Sequence, residues 1–373
     1  MLPARIAAGH QGPRSGPGPG HRPGTRSGRR NQVSYKVAVL GATGMVGQEM
    51  LRVLEAQAFP VATLVPLASG SGETGRTVHF RGRPHAVLGT DGFDYRDVDL
   101  VLASAGEEIS AREAPRAAAA SAIVVDNTAH FRMHADVPLV IPEINGHAVR
   151  DHHGIIANPN CSTAIVLMAV APLRALGGLA RLVVSTYQSA SGAGKEAVKE
   201  LDSQMAAHLE GRTPEHRVFH APLAGNVLPR IGRLLPDGRT SEEAKMEEEA
   251  RKILAQPELA VTCTCVRVPV IVGHSASVNL TFDRAVAPGD VAAVLREAPG
   301  VHVVAEPDGP TPRDAAGSDD VLVGRIRADR SHPYGLDLWV SGDNLRKGAA
   351  LNAVQIADIL HREGRIGVST RSA

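Results

Sequence analysis

The segment from residue 35 to residue 65 restricts the fold of this chain more than any other. An apolar run at residues 35–40 leads into a glycine-rich turn, and residues 45–57 then have the spacing of an amphipathic helix. A second apolar run, residues 61–65, completes a strand–helix–strand unit. The turn is Gly41-Ala42-Thr43-Gly44-Met45-Val46-Gly47. Because missing side chains let a backbone approach a pyrophosphate at a helix amino terminus, the unit predicts dinucleotide binding; a plain tight turn is the alternative.

Predicted strands and helices continue to alternate along the chain, and the strands become longer in its second half. Apolar strands are predicted at residues 99–103 and 122–126, with an Ala-rich helix at 109–120 between them, which indicates a doubly wound parallel sheet. After residue 179 the predicted strands are longer, at 181–188, 261–272 and 277–282, with helices at 194–209, 241–254 and 345–362. The predicted class is α/β: a Rossmann-type parallel-sheet cofactor domain plus an α+β domain. No strand follows the last helix, so it is expected to pack on one of these domains.

Charge and composition exclude several classes of partner. Residues 1–32 contain six Arg and no acidic residue, and this Gly/Pro-rich composition predicts a disordered tail or an overlong start at residues 1–33, with a targeting or interaction arm as the alternative. The rest of the chain carries a net charge of about −5, which argues against nucleic acid or an anionic membrane. The longest apolar stretch, residues 164–173, is too short to cross a bilayer. Three cysteines indicate a reducing compartment, by default the cytoplasm.

One of these cysteines is a candidate nucleophile. The sequence Asn158-Pro159-Asn160-Cys161-Ser162-Thr163 directly precedes the apolar helical run at residues 164–173. In the first turn of a helix, unpaired N–H groups and the helix dipole favour a thiolate, and the same groups could stabilise an oxyanion. The alternative is that Cys161 is a small buried hydrophobic residue.

A thiol nucleophile needs a base, and His274 is the candidate. It lies in Val272-Gly273-His274-Ser275, just past a predicted strand end, where small neighbours should leave the imidazole accessible. The chain has sixteen histidines, however, so one of them could lie at such a strand end by chance. Cys263 and Cys265 form a poor metal pair because no second ligand pair follows, so no metal site is predicted.

Taken together, these motifs resemble the aspartate-semialdehyde dehydrogenase family. The resemblance rests on the glycine turn and on residues 157–163, 185–194, 265–275 and 342–352, in the order and spacing of the family, and it extends from residue 33 to residue 359. It implies a dinucleotide-binding domain at 34–162, a catalytic and dimerisation domain at 163–343, and a C-terminal helix at 344–373 that packs back on the cofactor domain. A homodimer or a dimer of dimers is also implied.

The resemblance implies a role for each matching residue. Cys161 would be the acyl-thioester nucleophile and His274 the general acid/base, while Gln188 would hold the carbonyl or carboxylate region of the substrate. Arg267 would bind the α-carboxylate, for which its bidentate fork is suited. Glu242 would bind the substrate ammonium and Lys245 would lie near the phosphate, unless both occupy an exposed helix face.

Further residues are implied for phosphate and cofactor. Arg132 would bind phosphate with help from Asn127, so that Arg132, Lys245 and Arg267 build a cationic pocket. Ser191 and Gly192 would lie against the nicotinamide, unless Gly192 merely permits a turn, and Asn344 would contact the cofactor. The implied cofactor residues are Gly41, Thr43, Gly44, Met45, Val46, Gly47, Ser69, Ser71, Gly72, Ser191, Gly192 and Asn344.

The chain departs from the family at residues 69–76. The family typically has Ser-Ala-Arg-Ser-Ala-Gly, whose arginine holds the 2′-phosphate of NADP, whereas this chain has Ser69-Gly70-Ser71-Gly72-Glu73-Thr74-Gly75-Arg76. Glu73 could accept hydrogen bonds from an unphosphorylated ribose and would repel a phosphate. The choice between NADP and NAD is therefore open.

The implied activity is the reversible NAD(P)-dependent reduction of L-aspartyl 4-phosphate to L-aspartate 4-semialdehyde and phosphate through a cysteinyl thioester. It would serve lysine, threonine, methionine and diaminopimelate biosynthesis. One alternative is an enzyme like N-acetyl-glutamyl-phosphate reductase, whose substrate has no free ammonium for Glu242 to bind. The other is an inactive nucleotide-binding paralogue, which the altered loop at 69–76 would fit.

Overall fold

A parallel sheet forms the first half of the protein in the computed structural model, which describes residues 33–69, 75–305 and 307–367. Its strands pair in the order β5-β2-β1-β6-β7-β8, all parallel, as the sequence predicted. Buried Val, Leu and Ala on both faces of β1 and β6 fit a sheet that is covered on both sides. The elements are β1 (Tyr35–Leu40), α1 (Met45–Ala56), β2 (Val61–Ala68), a hairpin of β3 (Thr77–Phe80) and β4 (Arg83–Ala86), β5 (Leu88–Gly89), β6 (Leu100–Ala103), α2 (Glu107–Ala119), β7 (Ile123–Asp126), α3 (Pro142–Asn145) and β8 (Ile155–Ala157).

A mixed sheet forms the second half, with strand order β10-β9-β11-β14-β13-β12. Strands β12 to β14 and helix α7 were not predicted. The elements are α4 (Cys161–Val170), β9 (Leu179–Gln188), α5 (Lys195–Leu209), α6 (Ser241–Ile253), β10 (Ala260–Arg267), β11 (His274–Phe282), α7 (Pro288–Glu297), β12 (Val301–Val303), α8 (Pro312–Ala315), β13 (Val321–Ala328), β14 (Gly335–Gly342) and α9 (Leu351–Arg362).

Helix α4 connects the two sheets. Every residue from Ser162 to Val170 is buried, as expected for a helix that is apolar all round. Its apolar residues belong to the same hydrophobic cluster as one face of the parallel sheet and the inner face of the mixed sheet. The predicted domain boundary between residues 162 and 163 falls inside this helix. The first residue of α4, Cys161, therefore lies where both halves meet, and its exposure is intermediate.

Strand register brings three predicted site residues to one edge of the mixed sheet. β9 and β10 are parallel and end at Gln188 and Arg267, which are directly paired. β11 is antiparallel to β9 and begins at His274, so it starts at the same edge. The single strand predicted at residues 261–272 is wrong: it ends at Arg267. Pro269 has no N–H for a ladder, and Gly273 turns the chain at φ +93° before β11 starts.

The C-terminal helix is shorter than predicted. A π-helical turn at Arg346–Ala350 precedes α9, in place of a single helix over 345–362. Buried residues of α9 belong to the same hydrophobic cluster as β1 and α1. None of the helices that the structure describes has the length and apolar character that crossing a bilayer would demand.

Candidate active site

A cavity of about 310 Å³ collects most of the residues that the sequence singled out. Gln188, Arg267 and His274 lie behind its wall, each less than 10% exposed. Two sides of the cavity come from the loops that follow β6 and β7, and a third comes from α6. Predicted site residues in the lining are Val46, Asn127, Arg132, Cys161, Ser191, Gly192, Glu242, Lys245 and Asn344.

Cys161 is the first residue of α4, in the helical turn where the sequence placed it. Asn160 caps this helix: its Oδ1 accepts from the backbone N–H groups of Ser162 at 2.9 Å and Thr163 at 3.3 Å. The side-chain amide of Asn160 also donates to Glu242 Oε1 at 2.8 Å. The orientation of the nucleophile thus depends on contacts that the preceding residue makes with α6.

The surroundings do not favour a thiolate in the free protein. Burial and the nearby Glu242 carboxylate raise the pKa of Cys161 to about 11, although Arg267 and Arg132 act in the opposite direction. The helix terminus acts in the predicted direction, because the backbone N–H of Ser162 also lowers this pKa. Desolvation and the Glu242 carboxylate nevertheless outweigh it.

His274 is buried, with 1% of its surface exposed, so the expected accessible imidazole is also wrong. The backbone of Gly192 packs against the ring: a Cβ at that position would lie 3.1 Å from His274 Nε2. Burial and the Arg267 charge lower the pKa of His274 to about 3, so the ring is neutral near pH 7. Among the described residues Nε2 has no hydrogen-bond partner.

Ser189 holds the other ring nitrogen of His274. Its backbone N–H donates to Nδ1 at 3.0 Å, and its hydroxyl lies 3.1 Å from the same atom. With the N–H contact, the neutral ring carries its proton on Nε2. Nδ1 can carry the proton, which leaves a free lone pair on Nε2, only when this N–H contact breaks and the hydroxyl accepts from Nδ1 instead. Ser189 is not among the predicted site residues, because its role depends on contacts between residues far apart in the chain.

Glu242 is the centre of a polar network on the cavity wall. Its carboxylate accepts from Gln188 Nε2 at 3.2 Å and contacts Lys245 Nζ at 3.4 Å. Burial raises the pKa of Glu242, but Lys245, Asn160, Gln188 and Arg267 together lower it below its ordinary value. An exposed helix face, the alternative for Glu242, is excluded because only 11% of this side chain is exposed.

The predicted cationic pocket contains acidic partners that the sequence analysis missed. Arg132 Nη1 lies 3.0 Å from Glu249 Oε1, and its other nitrogens donate to the carbonyl oxygens of Asn158 and Asn127, each at 2.8 Å. Asn127 lines the cavity, and its Nδ2 is buried without a partner among the described residues. A donor of this kind can bind an anion. The signal for Glu249 was its position seven residues after Glu242, on the same face of a helix.

The glycine turn before α1 fits a bound dinucleotide. Gly41 has φ +87°, and a Cβ there would lie 2.3 Å from Ser104 O. At Gly47 a Cβ would lie 2.2 Å from Gly41 O. No side chain of the described residues caps α1 at Gly44, so its first N–H groups can face a pyrophosphate. Thr43 and Met45 lie in this turn. Ser69 directly follows β2, whereas Ser71, Gly72 and Glu73 lie outside the described residues, as do residues 1–32 of the disordered tail predicted at 1–33.

Ser191 and Asn344 meet on the cavity wall between the turn and the catalytic groups. Asn344 Nδ2 donates to Ser191 Oγ at 2.9 Å, and its Oδ1 accepts from the N–H of Gly273 at 2.9 Å. The pair thereby joins the start of the π-helical turn to the loop before His274. No group of His, Cys, Asp and Glu side chains in the described ranges could hold a metal ion.

A glycine turn suited to a dinucleotide and a thiol at the start of a helix line the same cavity. This combination is typical of one class of enzymes. These are nicotinamide-dependent dehydrogenases that carry an acyl group on a cysteine sulfur. In such sites the protein supplies the nucleophile and orients both substrates, while the cofactor carries the hydride.

Comparison with known proteins narrows the class. Residues 36–152 match the family model "Semialdehyde dehydrogenase, NAD binding domain", and residues 170–347 match "Semialdehyde dehydrogenase, dimerisation domain". An aspartate-semialdehyde dehydrogenase from Synechocystis is 48% identical over 332 residues, 88% of this chain and 98% of the relative. The crystal structure of aspartate semialdehyde dehydrogenase II complexed with ASA from Vibrio cholerae has a TM-score of 0.87 and 44% identity, and covers 89% of this chain and 99% of its own. The chain belongs to the aspartate-semialdehyde dehydrogenase family.

Proposed function

We propose that this protein catalyses the reversible NAD(P)-dependent reduction of L-aspartyl 4-phosphate to L-aspartate 4-semialdehyde and phosphate. The observation that carries the proposal is the cavity itself, in which Cys161 shares walls with the α1 turn and with side chains suited to an amino acid phosphate. Family membership supports the same reaction. An inactive paralogue is not favoured, because Cys161, Gln188, Arg267 and His274 are all retained around the cavity.

Cys161 is the nucleophile of this reaction. Its sulfur lone pair forms a bond to the acyl carbon, the carbon–oxygen bond to phosphate breaks, and phosphate leaves with that electron pair. The nicotinamide, when bound, supplies a hydride to the resulting thioester carbon. The carbon–sulfur bond of the thiohemiacetal then breaks to release the aldehyde, and the sulfur regains a proton.

His274 is the proton-exchanging group for Cys161. The Ser189 N–H, which donates to Nδ1, favours the neutral form with the proton on Nε2; when that contact breaks, the Ser189 hydroxyl can accept from Nδ1 in the other form. The form with Nδ1–H bonded to the hydroxyl can accept the thiol proton at Nε2, and the resulting imidazolium can return it when the thiohemiacetal breaks down. The low pKa of His274 means that this imidazolium is short-lived unless substrate anions stabilise it.

The remaining side chains bind the two ends of the substrate. Arg267 is buried and donates to Ser189 O at 2.7 Å, and we assign it the α-carboxylate. Glu242, already an acceptor for two amides, is assigned the ammonium. A buried carboxylate in this place favours aspartyl phosphate over an acylated amino acid phosphate. Arg132, Lys245 and Asn127 are assigned the phosphate.

We further propose that the protein works as a homodimer or homotetramer in the cytoplasm, within the biosynthesis of lysine, threonine, methionine and diaminopimelate. Three free cysteines support a reducing compartment. The outer face of the mixed sheet presents Ser185, Tyr187, Ser277 and Trp339 at intermediate exposure, and this uncharged patch, which lies next to Arg181 and Asp337 on the same face, suits a second copy.

The test is a spectrophotometric assay of nicotinamide reduction by L-aspartate 4-semialdehyde. NAD and NADP are compared, each with and without inorganic phosphate. We expect turnover that requires phosphate, and the ratio of kcat/KM for the two cofactors reports the effect of residues 69–76. Absence of turnover with both cofactors would refute the enzyme assignment, and turnover without phosphate would refute the acyl-phosphate route.

Two variants separate the roles within the site. Cys161→Ala should abolish turnover and leave nucleotide binding intact, because the sulfur forms the thioester, whereas the proposed pyrophosphate contacts come from backbone N–H groups at the start of α1. Arg267→Leu should chiefly raise the KM for the semialdehyde. Substantial activity in the first variant, or an unchanged KM in the second, would contradict the assigned role.

A further inference from the structure

Glu249 is a buried carboxylate that the reaction as described does not use. It lies on α6, seven residues after Glu242 and four after Lys245, so the three side chains share one face of the helix. Glu242 and Lys245 line the cavity, whereas Glu249 lies behind it with 1% of its surface exposed. A charge in that position needs partners, because burying an unpaired carboxylate is costly.

The two oxygens of Glu249 contact two different parts of the site. Oε1 lies 3.0 Å from Arg132 Nη1. Oε2 accepts from the backbone N–H of Asn160 at 2.7 Å. One side chain therefore bridges the arginine assigned to phosphate and the residue directly before the nucleophile.

Arg132 and Asn160 both have other polar groups bonded elsewhere in the site, and Glu249 holds the group that these contacts leave over. Arg132 donates from Nη2 and Nε to the carbonyl oxygens of Asn127 and Asn158, and Glu249 holds its remaining nitrogen, Nη1. Asn160 caps α4 with its side chain, and its own N–H has Glu249 as acceptor. Loss of the carboxylate would free one face of Arg132 and the turn that leads to Cys161.

We propose that Glu249 is a positioning residue that aligns Arg132 with the phosphate of the substrate and holds Asn160 in register, so that Cys161 and the phosphate site stay at a fixed separation. The inference rests on the proposed function for the phosphate role of Arg132. It adds a residue that touches neither substrate nor cofactor. Its action is indirect, through Arg132 on one side and Asn160 on the other.

Replacement by glutamine tests the bridge, because an amide has an acceptor oxygen at only one of the two carboxylate oxygen positions and an NH2 donor at the other. Glu249→Gln can keep either the Asn160 contact or the Arg132 contact, but not both. The matched control is Glu247→Gln. Glu247 lies on the same helix and is also buried. It forms an ion pair with Arg239, with Nη1 and Oε2 2.6 Å apart, and neither residue lines the cavity.

The first measurement is steady-state kinetics in the phosphorylating direction. For Glu249→Gln we expect the KM for inorganic phosphate to rise at least tenfold, while the KM for the semialdehyde changes less than threefold. Glu247→Gln should change neither KM. The double variant with Arg132→Lys should show no further rise in phosphate KM beyond that of Arg132→Lys alone, since Glu249 acts through Arg132.

The second measurement does not need turnover: inorganic phosphate is titrated as a protectant of Cys161 against iodoacetamide. Half-protection should require at least tenfold more phosphate in Glu249→Gln than in the wild type or the control. Glu249→Asp, which keeps the charge but is one methylene shorter, should shift this concentration in the same direction by a smaller factor. It becomes the test variant if the glutamine variant does not fold.

The two proposals fail in different ways. Absence of phosphate-dependent turnover in the wild-type protein refutes the proposed function. The positioning role is overturned if the phosphate concentrations for half-protection agree among the wild type, the Glu249 variants and Glu247→Gln. It is also overturned if phosphate does not protect the wild-type thiol, because Arg132 would then not form a phosphate site.

Discussion

Removing the charge of Glu242 should make the Cys161 thiol more reactive toward alkylation and, at the same time, should lower the turnover of the enzyme. The surroundings raise the pKa of Cys161 from 9.0 to about 11, which lowers its thiolate fraction about a hundredfold, and burial accounts for more of this than Glu242 does. Glu242→Gln removes only the smaller contribution. We therefore expect the thiolate fraction near pH 8 to rise by a factor of about 3 to 10, or about 0.7–1.4 kcal/mol.

The assay is the rate of alkylation of Cys161 by neutral iodoacetamide between pH 7 and pH 11, with Cys161→Ala as background. The rate should rise with pH in both proteins, and the curve of Glu242→Gln should lie at lower pH. Turnover should fall, because the substrate ammonium loses its partner. Glu247→Gln controls for loss of a carboxylate on α6. An alkylation curve of Glu242→Gln that coincides with the wild type, or lies at higher pH, would show that this carboxylate does not control the thiol.

Three further variants test other parts of the structure. Gly47→Ala places a Cβ 2.2 Å from Gly41 O, so we expect weaker nucleotide binding by calorimetry and a loss of about 1–3 kcal/mol in urea unfolding. Lys347→Met removes the cation that pairs with Glu143, which keeps only the hydrogen bond from Gln355 at 3.0 Å, and should reduce the free energy of unfolding by about 3 kcal/mol; a neutral effect would mean that the ion pair is not needed. The pKa of His274 is about 3 when folded and 6.5 when unfolded, so lowering the pH from 6.5 protonates the unfolded chain first and destabilises the fold. Tm should therefore fall less steeply below pH 6.5 in His274→Gln than in the wild type, and parallel curves would contradict the buried neutral ring.

The sequence by itself determined the features that depend on neighbouring residues. The strand–turn–helix at residues 35–57 follows from an apolar run, glycines that leave no room for side chains, and helical spacing. The position of Cys161 at a helix start follows in the same way from Asn160 and the apolar residues after it. Such patterns are local, and the structure contains them within a residue or two of the predicted limits.

Only the tertiary structure decided the ionisation, burial and partners of the side chains in the site. Charge and burial at Cys161 depend on α6 and β10, which follow it by about 80 to 100 residues, so no local pattern could show that desolvation outweighs the helix dipole. His274 is buried for the same reason, because the backbone at Gly192 packs against it. Glu249 matters only because α6 brings it between Arg132 and Asn160. Strand pairing and helix packing set these distances, and electrostatic effects at the site follow from distance and desolvation rather than from sequence order.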